Sequence, residues 1–518
     1  MALEILVVPF FGQGHLLPSM ELCKHFASRN FRAVLVISSN LSSSVPSSLR
    51  SLPLVEVVEI PSSPTPPPPP PPSQPGSGDL MAQHRNHHSQ MAQRLESVLS
   101  ARASAPNSIP IACAVTDVMM SWTAEIFQKF RIPLVGFFTS GACSAAMEFA
   151  QWKAGVDGLK PGETRLLPGL PEEMALTEFD LKKRPHGPPH LRNGGGGPGG
   201  GGAPGGGGFP FAPPPGRPGP KFMGPPKPGQ EPPWVDDVAD SVALLFNTCD
   251  DLEGPFIEYL ADRVGKPVWG VGPLLPEQYW RSAGSLLHDR EIRTNRKSSI
   301  TEDEVIQWLD SKPSGSVLYV SFGSEVGPTM EEYPQLAQAL EESSSPFIWV
   351  IQPGSGRGGP PRTFLGGKPD SDPDKEGYFP HGLKEKVGDR GLIIRGWAPQ
   401  LLILSHPSTG GFLSHCGWNS TVEAIGRGVP FLTWPIRGDQ YHNAKLVVAH
   451  LRMGHVILDD MSLPMKKDDI VKGIERLMGD EGVKERAAQL GKRFEGGFPA
   501  SSAAGLDAFA EFIRQKTK

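Results

Sequence analysis

The chain has little excess charge of either sign. Its 50 Lys and Arg residues nearly balance its 55 Asp and Glu residues, which leaves a net charge of −5. It also lacks a basic cluster interleaved with aromatic residues, the pattern typical of a nucleic-acid-binding surface. We therefore expect no nucleic-acid partner.

Cysteine is scarce, and long apolar runs are missing. The five cysteines are odd in number, scattered, and mostly placed within apolar stretches, which favours reduced thiols over a disulfide framework. The N-terminal apolar run is short and contains Glu4 where a signal peptide would have basic residues. No stretch reaches the roughly 18 apolar residues that a membrane helix needs. The sequence thus predicts a cytoplasmic protein without a membrane span.

Glycine and proline are abundant instead, with 60 and 56 residues. Much of this excess lies in a proline run at 66–72, a Gly/Pro-rich stretch at 194–229 and a milder one at 354–374. Such segments hold too few apolar side chains to build a core. We interpret them as surface insertions, of which 61–76 and 186–233 interrupt the first half of the chain. Two alternatives stay open: the proline run engages a proline-reading domain, or the glycine-rich stretch covers the mouth of a ligand pocket.

Buried-strand signals alternate with helical stretches along the rest of the chain. They form two groups, at 3–10, 33–38, 54–60, 112–117, 133–138 and 243–246, and at 317–324, 347–351, 391–395, 410–414 and 429–434. Strands that alternate with helices are typical of parallel sheets. The sequence therefore predicts an α/β protein built from two parallel-sheet domains.

One segment of the second group, 397–440, holds aromatic, histidine, amide and carboxylate side chains at spacings suited to a nucleotide-sugar site. Its apolar residues 410–414 predict a buried strand, and the glycine-containing turn after them opens a helix. Such a turn directs backbone amides and the positive end of the helix dipole into one space. With the side-chain donors His415, Asn419 and Ser420, that space suits a diphosphate.

The same segment closely resembles the signature box of the plant family-1 UDP-sugar glycosyltransferases, which transfer sugars to small acceptors. A pattern with this many matching positions is far more specific than a lone glycine motif. The matching positions are Trp397, Pro399, Gln400, His406, 414–420, Glu423, 428–430, Pro435, Asp439 and Gln440.

The resemblance implies a role for each matching donor-site residue. Trp397 would stack on the uracil ring, and Ala398 would meet the base through its backbone. The polar groups would divide between the ribose (Gln400 and Glu423), the phosphates (His415, Asn419 and Ser420) and the transferred sugar (Asp439 and Gln440).

Four further residues complete this prediction. Glutamine at position 440 is usual for glucose donors in the resembled family, so UDP-glucose is the expected donor. Trp418 belongs to the donor-site pattern, with a core position as the alternative. Ser324 follows a strand and is predicted as another diphosphate contact. Thr139 matches a family residue that touches the sugar, with a capping role at the strand end as the alternative.

A second constellation lies in the first half of the chain. The strand at 3–10 runs into a glycine-containing turn that carries His15, and the later strand at 112–117 ends in Asp117. Two parallel strands of one sheet would bring both side chains to the same edge. A carboxylate on one imidazole nitrogen fixes the tautomer while the other nitrogen accepts a proton. A lone histidine in a turn is often structural, but the resembled family uses a His and an Asp in this catalytic way.

These expectations describe an inverting glycosyltransferase. His15 would deprotonate an acceptor hydroxyl, whose oxygen attacks the anomeric carbon of UDP-glucose, while Asp117 steadies the charged imidazole. The glycine pattern before His15 is not a dinucleotide fingerprint, and UDP-glucose would be a co-substrate, so no cofactor is expected. Asp370 and Asp372 have the spacing of a metal motif but lie in a Gly/Pro/Asp-rich loop, so no metal is expected either.

The acceptor is less determined than the donor. A flavonoid or another plant phenolic is the leading expectation, with attack by oxygen. Attack by a flavonoid ring carbon and transfer to a terpenoid or hormone hydroxyl are the alternatives within the same enzyme class. A catalytically idle UDP-sugar-binding protein, or a proline-rich interaction protein, is the alternative from a different class.

The resemblance also implies the architecture known as GT-B, in which two Rossmann-like domains face each other across a cleft. We expect an acceptor-binding domain at 1–265, a linker at 266–300 and a UDP-sugar-binding domain at 301–498. An amphipathic helix at 499–518 is expected to pack back on the first domain. The partners are then the donor and a small-molecule acceptor, and we expect a monomer.

Overall fold

The computed structural model describes residues 3–60, 78–105, 109–156, 159–182, 228–282, 285–289, 298–356 and 377–517. The proline run at 66–72, the pair Asp370 and Asp372, and most of the insertion at 186–233 therefore lie outside the described residues.

The first sheet has seven parallel strands in the order β3-β2-β1-β4-β5-β6-β7. Their bounds are β1 (Leu3–Val8), β2 (Phe31–Ser38), β3 (Val55–Ile60), β4 (Ile111–Asp117), β5 (Leu134–Phe138), β6 (Ser241–Phe246) and β7 (Val268–Gly270). The central strands read as nearly continuous apolar runs and are buried almost throughout. This is the pattern expected of parallel strands that are covered by helices on both faces.

The second sheet has six strands, also parallel, in the order β10-β9-β8-β11-β12-β13. Their bounds are β8 (Val317–Ser321), β9 (Phe347–Ile351), β10 (Gly391–Arg395), β11 (Thr409–Ser414), β12 (Phe431–Thr433) and β13 (Gly454–Val456).

Helices cover both sheets. In the first half they are α1 (Gln13–Ala27), α2 (Ser47–Arg50), α3 (Gly78–Ser104), α4 (Ala124–Lys129), α5 (Ala142–Ala154), α6 (Glu178–Leu181), α7 (Pro233–Asp237), α8 (Asp250–Arg263) and α9 (Glu277–Arg281). In the second half they are α10 (Glu302–Asp310), α11 (Glu332–Glu342), α12 (Leu383–Val387), α13 (Gln400–Ser405), α14 (Trp418–Ile425), α15 (Gln440–Lys445), α16 (Lys467–Gly479), α17 (Glu481–Lys492) and α18 (Ala500–Lys516).

Each sheet reverses its strand order at one place, and these places position the site. In the first sheet the reversal lies between β1 and β4, which pair in parallel up to Val8 and Thr116. In the second it lies between β8 and β11, which pair up to Ser321 and Ser414. Open α/β sheets bind ligands just beyond the carboxyl ends of the strands at such a reversal. The two parallel-sheet units agree with the predicted α/β architecture.

The last helix, α18, returns to the first sheet. Leu506, Phe509 and Ile513 are buried in one apolar core with residues of β1 and β4. Asp507 adds an ion pair with Arg29, with 2.7 Å between Oδ1 and Nε. Helix α18 therefore packs on the first domain, although it follows the second domain in the sequence.

Two short strands lie outside the predicted pattern. Strand β7 extends the first sheet beyond the predicted boundary at 265, so that boundary was set too early. Strand β13 adds an edge strand to the second sheet. Each spans only three residues, too few for a periodic pattern to stand out in the sequence. Among the described residues, none of the helices is long and apolar enough to cross a membrane.

Candidate active site

His15 and Asp117 meet at the strand-order reversal of the first sheet. His15 lies in the first turn of α1, which follows β1, and Asp117 is the last residue of β4. His15 Nδ1 is 2.7 Å from Asp117 Oδ2. The side chain of Asp117 is completely covered, whereas that of His15 is 27% exposed. A covered carboxylate therefore holds an imidazole that faces the cleft.

The surroundings of this pair decide the tautomer of the imidazole. Asp117 Oδ1 accepts a hydrogen bond from the backbone N–H of Met119 at 2.9 Å, which fixes the carboxylate. Because an ionised carboxylate only accepts, Nδ1 of His15 carries the hydrogen of their contact. Nε2 of His15 is then the unprotonated nitrogen, the form that a general base requires.

Thr139 lies beside the pair formed by His15 and Asp117. It follows β5, and its Oγ1 lies 2.9 Å from His15 Nδ1 and 3.4 Å from Asp117 Oδ2. The residue is buried. The structure thus places Thr139 in contact with both His15 and Asp117. Its contact with the sugar stays a prediction.

Nearby charges favour the protonated form of His15. Burial alone would lower its pKa, but the contact with Asp117 and the more distant carboxylates of Asp439 and Glu325 outweigh that effect and raise the pKa. The imidazole is therefore surrounded by groups that stabilise the cation formed on accepting a proton.

The second domain approaches His15 through α14. The signature turn carries Cys416 in a left-handed conformation (φ 60°), and α14 begins at Trp418. Asn419 and Ser420 thus lie in the first helical turn, where the backbone N–H groups point outward. Asn419 Nδ2 donates to the backbone oxygen of Gly14 at 3.0 Å. This contact places the positive end of α14 next to His15 and Asp117.

His415 is packed between two glycine-containing turns. A Cβ at Gly323, which has φ +72°, would lie 2.8 Å from His415 Nε2, and a Cβ at Gly417 would also overlap the ring. Burial lowers the pKa of His415 to about 4, and the positive charge of Arg437 acts in the same direction. His415 is therefore neutral at neutral pH and offers a polar donor, not a charge.

Gln400 is the centre of a hydrogen-bonded cluster. Its Nε2 donates to Glu423 Oε2 at 2.7 Å and to Ser420 Oγ at 3.0 Å, while its Oε1 accepts from the hydroxyl of Tyr319 at 3.1 Å. The cluster unites the predicted ribose pair, Gln400 and Glu423, with Ser420, one of the predicted phosphate residues.

The predicted base-binding residues lie just beyond β10. Trp397 is half-buried, and Ala398 is buried. The backbone oxygen of Gly396 accepts from Gln352 Nε2 at 2.9 Å, and that of Ala398 accepts from the N–H of Gln400 at 2.8 Å. These bonds hold the backbone on both sides of Trp397.

The predicted sugar residues, Asp439 and Gln440, lie at the start of α15. Asp439 Oδ2 accepts from Asn443 Nδ2 at 3.0 Å, and the same amide donates to the oxygen of Cys416 in the signature turn. Gln440 Oε1 accepts from the N–H groups of Ile436 and Arg437, both at 3.0 Å. The oxygen of Gln440 is therefore engaged by its own loop, whereas its Nε2 has further donor capacity.

The two remaining predicted donor-site residues have different surroundings. Trp418 is only 4% exposed, and its indole Nε1 donates to the backbone oxygen of Asn247 in the first domain at 2.7 Å. Its side chain thus packs between the domains, which favours the core alternative over a donor contact. Ser324 is exposed in the turn after β8, at the same sheet edge as the signature turn.

Several residues near the site were missed by the sequence analysis. They are Tyr319, Glu325, Arg437, Asn247, Glu253 and His442. Tyr319 lay in the strand predicted at 317–324, but nothing in its spacing indicates a partner far along the chain.

Comparison with known proteins places the chain among glycosyltransferases. The family model described as UDP-glucoronosyl and UDP-glucosyl transferase matches residues 295–495. UDP-glycosyltransferase 73C5 of Arabidopsis thaliana is 30% identical, covering 94% of this chain and 92% of that protein. Scopoletin glucosyltransferase of Nicotiana tabacum is 28% identical, covering 94% of this chain and 92% of that protein.

The solved structures agree on the fold. UGT73P12 of Glycyrrhiza uralensis aligns with a TM-score of 0.70 at 24% identity and covers 100% of this chain and 96% of its own. The protein therefore belongs to the plant family-1 UDP-dependent glycosyltransferases, enzymes that combine a UDP-sugar with a small-molecule acceptor.

Proposed function

We propose that this enzyme transfers glucose from UDP-glucose, with inversion, to a hydroxyl group of a plant phenolic such as a flavonoid. The observation that carries the proposal is the contact of 2.7 Å between His15 and Asp117, beside the N-terminus of α14. It combines a base for the acceptor with a positive helix end for the leaving diphosphate.

In the proposed reaction, Nε2 of His15 takes the proton of the acceptor hydroxyl as its oxygen attacks the anomeric carbon of the sugar. The bond from that carbon to the β-phosphate oxygen breaks, and its electron pair leaves with UDP. One displacement inverts the anomeric centre, so an α-linked donor yields a β-glucoside. Asp117 stabilises the imidazolium, and Asp439 lies close enough to add to this effect.

Three observations support a glucose donor and a phenolic acceptor. Gln440, the usual residue for glucose donors in the family, keeps Nε2 for a sugar hydroxyl. A phenol is acidic enough that a single positioned base removes its proton readily. The related protein of Nicotiana tabacum is named a scopoletin glucosyltransferase.

We further propose that no metal or cofactor takes part and that the enzyme is a cytoplasmic monomer. The amides of α14 and the donor side chains of the signature turn would stabilise the diphosphate without a metal. The five cysteines are free and buried, as is usual in a reducing compartment.

The proposal is tested with purified enzyme, UDP-glucose and a panel of flavonoids, hydroxycoumarins, terpenols and sterols, with products read by mass spectrometry. Each hexose-bearing product is then heated in acid. Loss of the sugar identifies an oxygen glucoside and supports the proposal. An acid-stable product indicates attack by a ring carbon, and product from terpenols or sterols alone indicates the other acceptor class.

A donor control completes the experiment. UDP-galactose and UDP-glucuronic acid are offered with the best acceptor, and we expect UDP-glucose to give the highest kcat/KM. UDP-glucose binding without a product from any acceptor would contradict the proposal and favour a UDP-sugar-binding protein.

A further inference from the structure

Glu253 is a fully buried carboxylate that lies outside the catalytic pair. Its residue exposure is 0%. Oε2 accepts from the backbone N–H of Ala142 and Oε1 from that of Cys143, both at 2.8 Å. These are the first two residues of α5, whose N-cap residue, Gly141, has no side chain to cap the helix. Glu253 thus supplies, from α8, the cap that α5 lacks.

The segment capped by Glu253 continues directly from the catalytic pair. Thr139, which hydrogen-bonds His15, lies three residues before Ala142. Its backbone oxygen accepts from Asn247 Nδ2 at 3.0 Å. Asn247 and Glu253 therefore hold the two ends of one turn, and this turn carries Thr139 against His15.

The same turn contacts the donor domain. A Cβ at Gly141 would lie 2.6 Å from Cη2 of Trp418, the first residue of α14, and would also overlap the carboxylate of Glu253. Only glycine leaves room for these two side chains to meet the turn. Glu253, which caps α5, and Trp418, which begins α14, are thus both packed against Gly141.

A second contact between the domains starts from the first turn of α5. Ser144 Oγ lies 3.0 Å from Nδ1 of His442, a buried residue of α15, and Gln151 Nε2 lies 3.4 Å from its Nε2. Helix α15 begins with Gln440, one of the predicted sugar residues. The position of α5 therefore sets the positions of both donor-domain helices relative to His15.

We propose that Glu253 is a positioning residue for sugar transfer, which holds the first turn of α5 and thereby sets the distance between His15 and the donor. This inference rests on the proposed function for the reaction that it serves. Because Glu253 is completely buried, its effect is exerted through the first turn of α5, which contacts Trp418 at Gly141 and His442 at Ser144.

The charge of Glu253 gives this role a pH dependence. Burial raises its pKa to about 7, opposed by the hydrogen bonds from Thr248, Cys143 and Ala142, and Asp439 raises it further. The charged or titratable groups on the surrounding elements are the Cys143 thiol on α5, Asp439, and Lys445 and His442 on α15.

The ionised carboxylate accepts both N–H groups with its two equivalent oxygens. When Glu253 is protonated, one oxygen carries a hydrogen and accepts more weakly, so one of the two caps is weakened. The first turn of α5 is then held less firmly below pH 7 than above it.

The test compares Glu253→Gln with the wild type and with Glu258→Gln, an exposed glutamate of the same helix. Glutamine keeps the shape but can accept with only one terminal atom. We expect kcat to fall about tenfold or more, while the Kd of UDP, measured by calorimetry, stays within about twofold because UDP binds the other domain. Glu258→Gln should leave both values unchanged.

The pH profile separates positioning from a general loss of folded enzyme. In the wild type, log kcat/KM should fall more steeply than a slope of one just below neutral pH, because protonation of Glu253 lowers the activity in addition to protonation of His15. Glu253→Gln should show a slope near one. A wild-type kcat and an unchanged slope in this variant would overturn the proposal.

Two further measurements keep the test decisive. Hydrogen exchange of the peptide that covers 139–147 should accelerate about tenfold in Glu253→Gln at pH 8, and this readout does not require an active acceptor. Unchanged exchange would overturn the proposal even if no acceptor were found. If Glu253→Gln fails to fold, Gly141→Ala should reproduce the loss of kcat with the carboxylate intact, and a wild-type kcat there would count against the proposal.

Discussion

Asn419 of the donor domain hydrogen-bonds the backbone oxygen of Gly14, the residue directly before His15, at 3.0 Å. The N-terminus of α14 and His15 on α1 are therefore joined by one side chain. A donor bound at α14 would then lie next to an acceptor bound at His15. In the proposed reaction, this proximity would link the binding of the diphosphate to the deprotonation of the acceptor.

Replacing the base should abolish most of the activity. In His15→Ala we expect kcat with a phenolic acceptor to fall by about 10²- to 10⁴-fold, the usual contribution of a positioned general base. The Kd of UDP should remain within about twofold. The exposed His381, replaced in the same way, serves as the control. Retention of most of the turnover in His15→Ala would exclude this residue as the base.

Replacing Asp117 should change the pH profile as well as the rate. Asp117 raises the pKa of His15 against the opposing effect of burial, so Asp117→Asn should lower that pKa. Since the neutral imidazole is the base, activity rises with pH through the pKa, and the acid limb of kcat/KM should move to lower pH. We expect kcat to fall about 100-fold or more. An acid limb that stays in place would contradict the role assigned to Asp117.

Tyr319 should influence donor binding through Gln400. Its hydroxyl donates to Gln400 Oε1 at 3.1 Å, and Tyr319→Phe removes that bond while keeping the buried ring. A typical hydrogen bond contributes about 1 kcal/mol, so KM for the UDP-sugar should rise about fivefold. We expect an unchanged kcat, and a KM equal to that of the wild type would show that Gln400 needs no such support.

Arg437 should favour binding of the diphosphate. Its positive charge acts on both His415 and Asp439, so it lies near the predicted phosphate and sugar residues. Arg437→Met should weaken UDP about tenfold in calorimetry and leave uridine, which has no phosphate, within about twofold. Lys472→Met, at an exposed site on α16, is the matched control. Equal weakening of UDP and uridine would show a general loss of the donor site instead.

Glu253 should make the folded state less stable as pH rises. Its pKa is about 7 in the folded protein, against 4.5 for an unperturbed glutamate side chain. The folded state thus binds the proton more tightly than the unfolded state does. The stability that results is fully present below pH 4.5 and is lost as pH rises through 7. The shift corresponds to about 3 kcal/mol. Chemical denaturation should therefore show that the unfolding free energy of Glu253→Gln rises relative to that of the wild type from about pH 5 to 8.

Much of the architecture is encoded in local patterns. The strands β1, β4 and β11 are buried and mostly apolar, and each ends at or just before residues that were predicted to carry function. The rule that parallel strands end at one edge was enough to predict that His15 and Asp117 would meet, and they lie 2.7 Å apart. The signature box likewise holds enough matching positions to identify the family by itself.

Other features depended on partners far along the chain. Trp418 was grouped with the donor site by its place in the signature box, yet its indole bonds Asn247, 171 positions away. The strands β7 and β13 span only three residues each, which is too short to show a period in the sequence.

The sequence by itself determined the fold class and the family, and it predicted the residues of the donor and catalytic sites, because buried strands and a dense motif are encoded locally. Only the tertiary structure decided that Glu253 caps α5, that Tyr319 supports Gln400 and that Asn419 reaches Gly14. These contacts join residues at least 81 positions apart. The first two pairs form within a folded domain and the third forms between the two domains. None of them has a signal within a single segment of the chain, because the partners meet only in the folded protein.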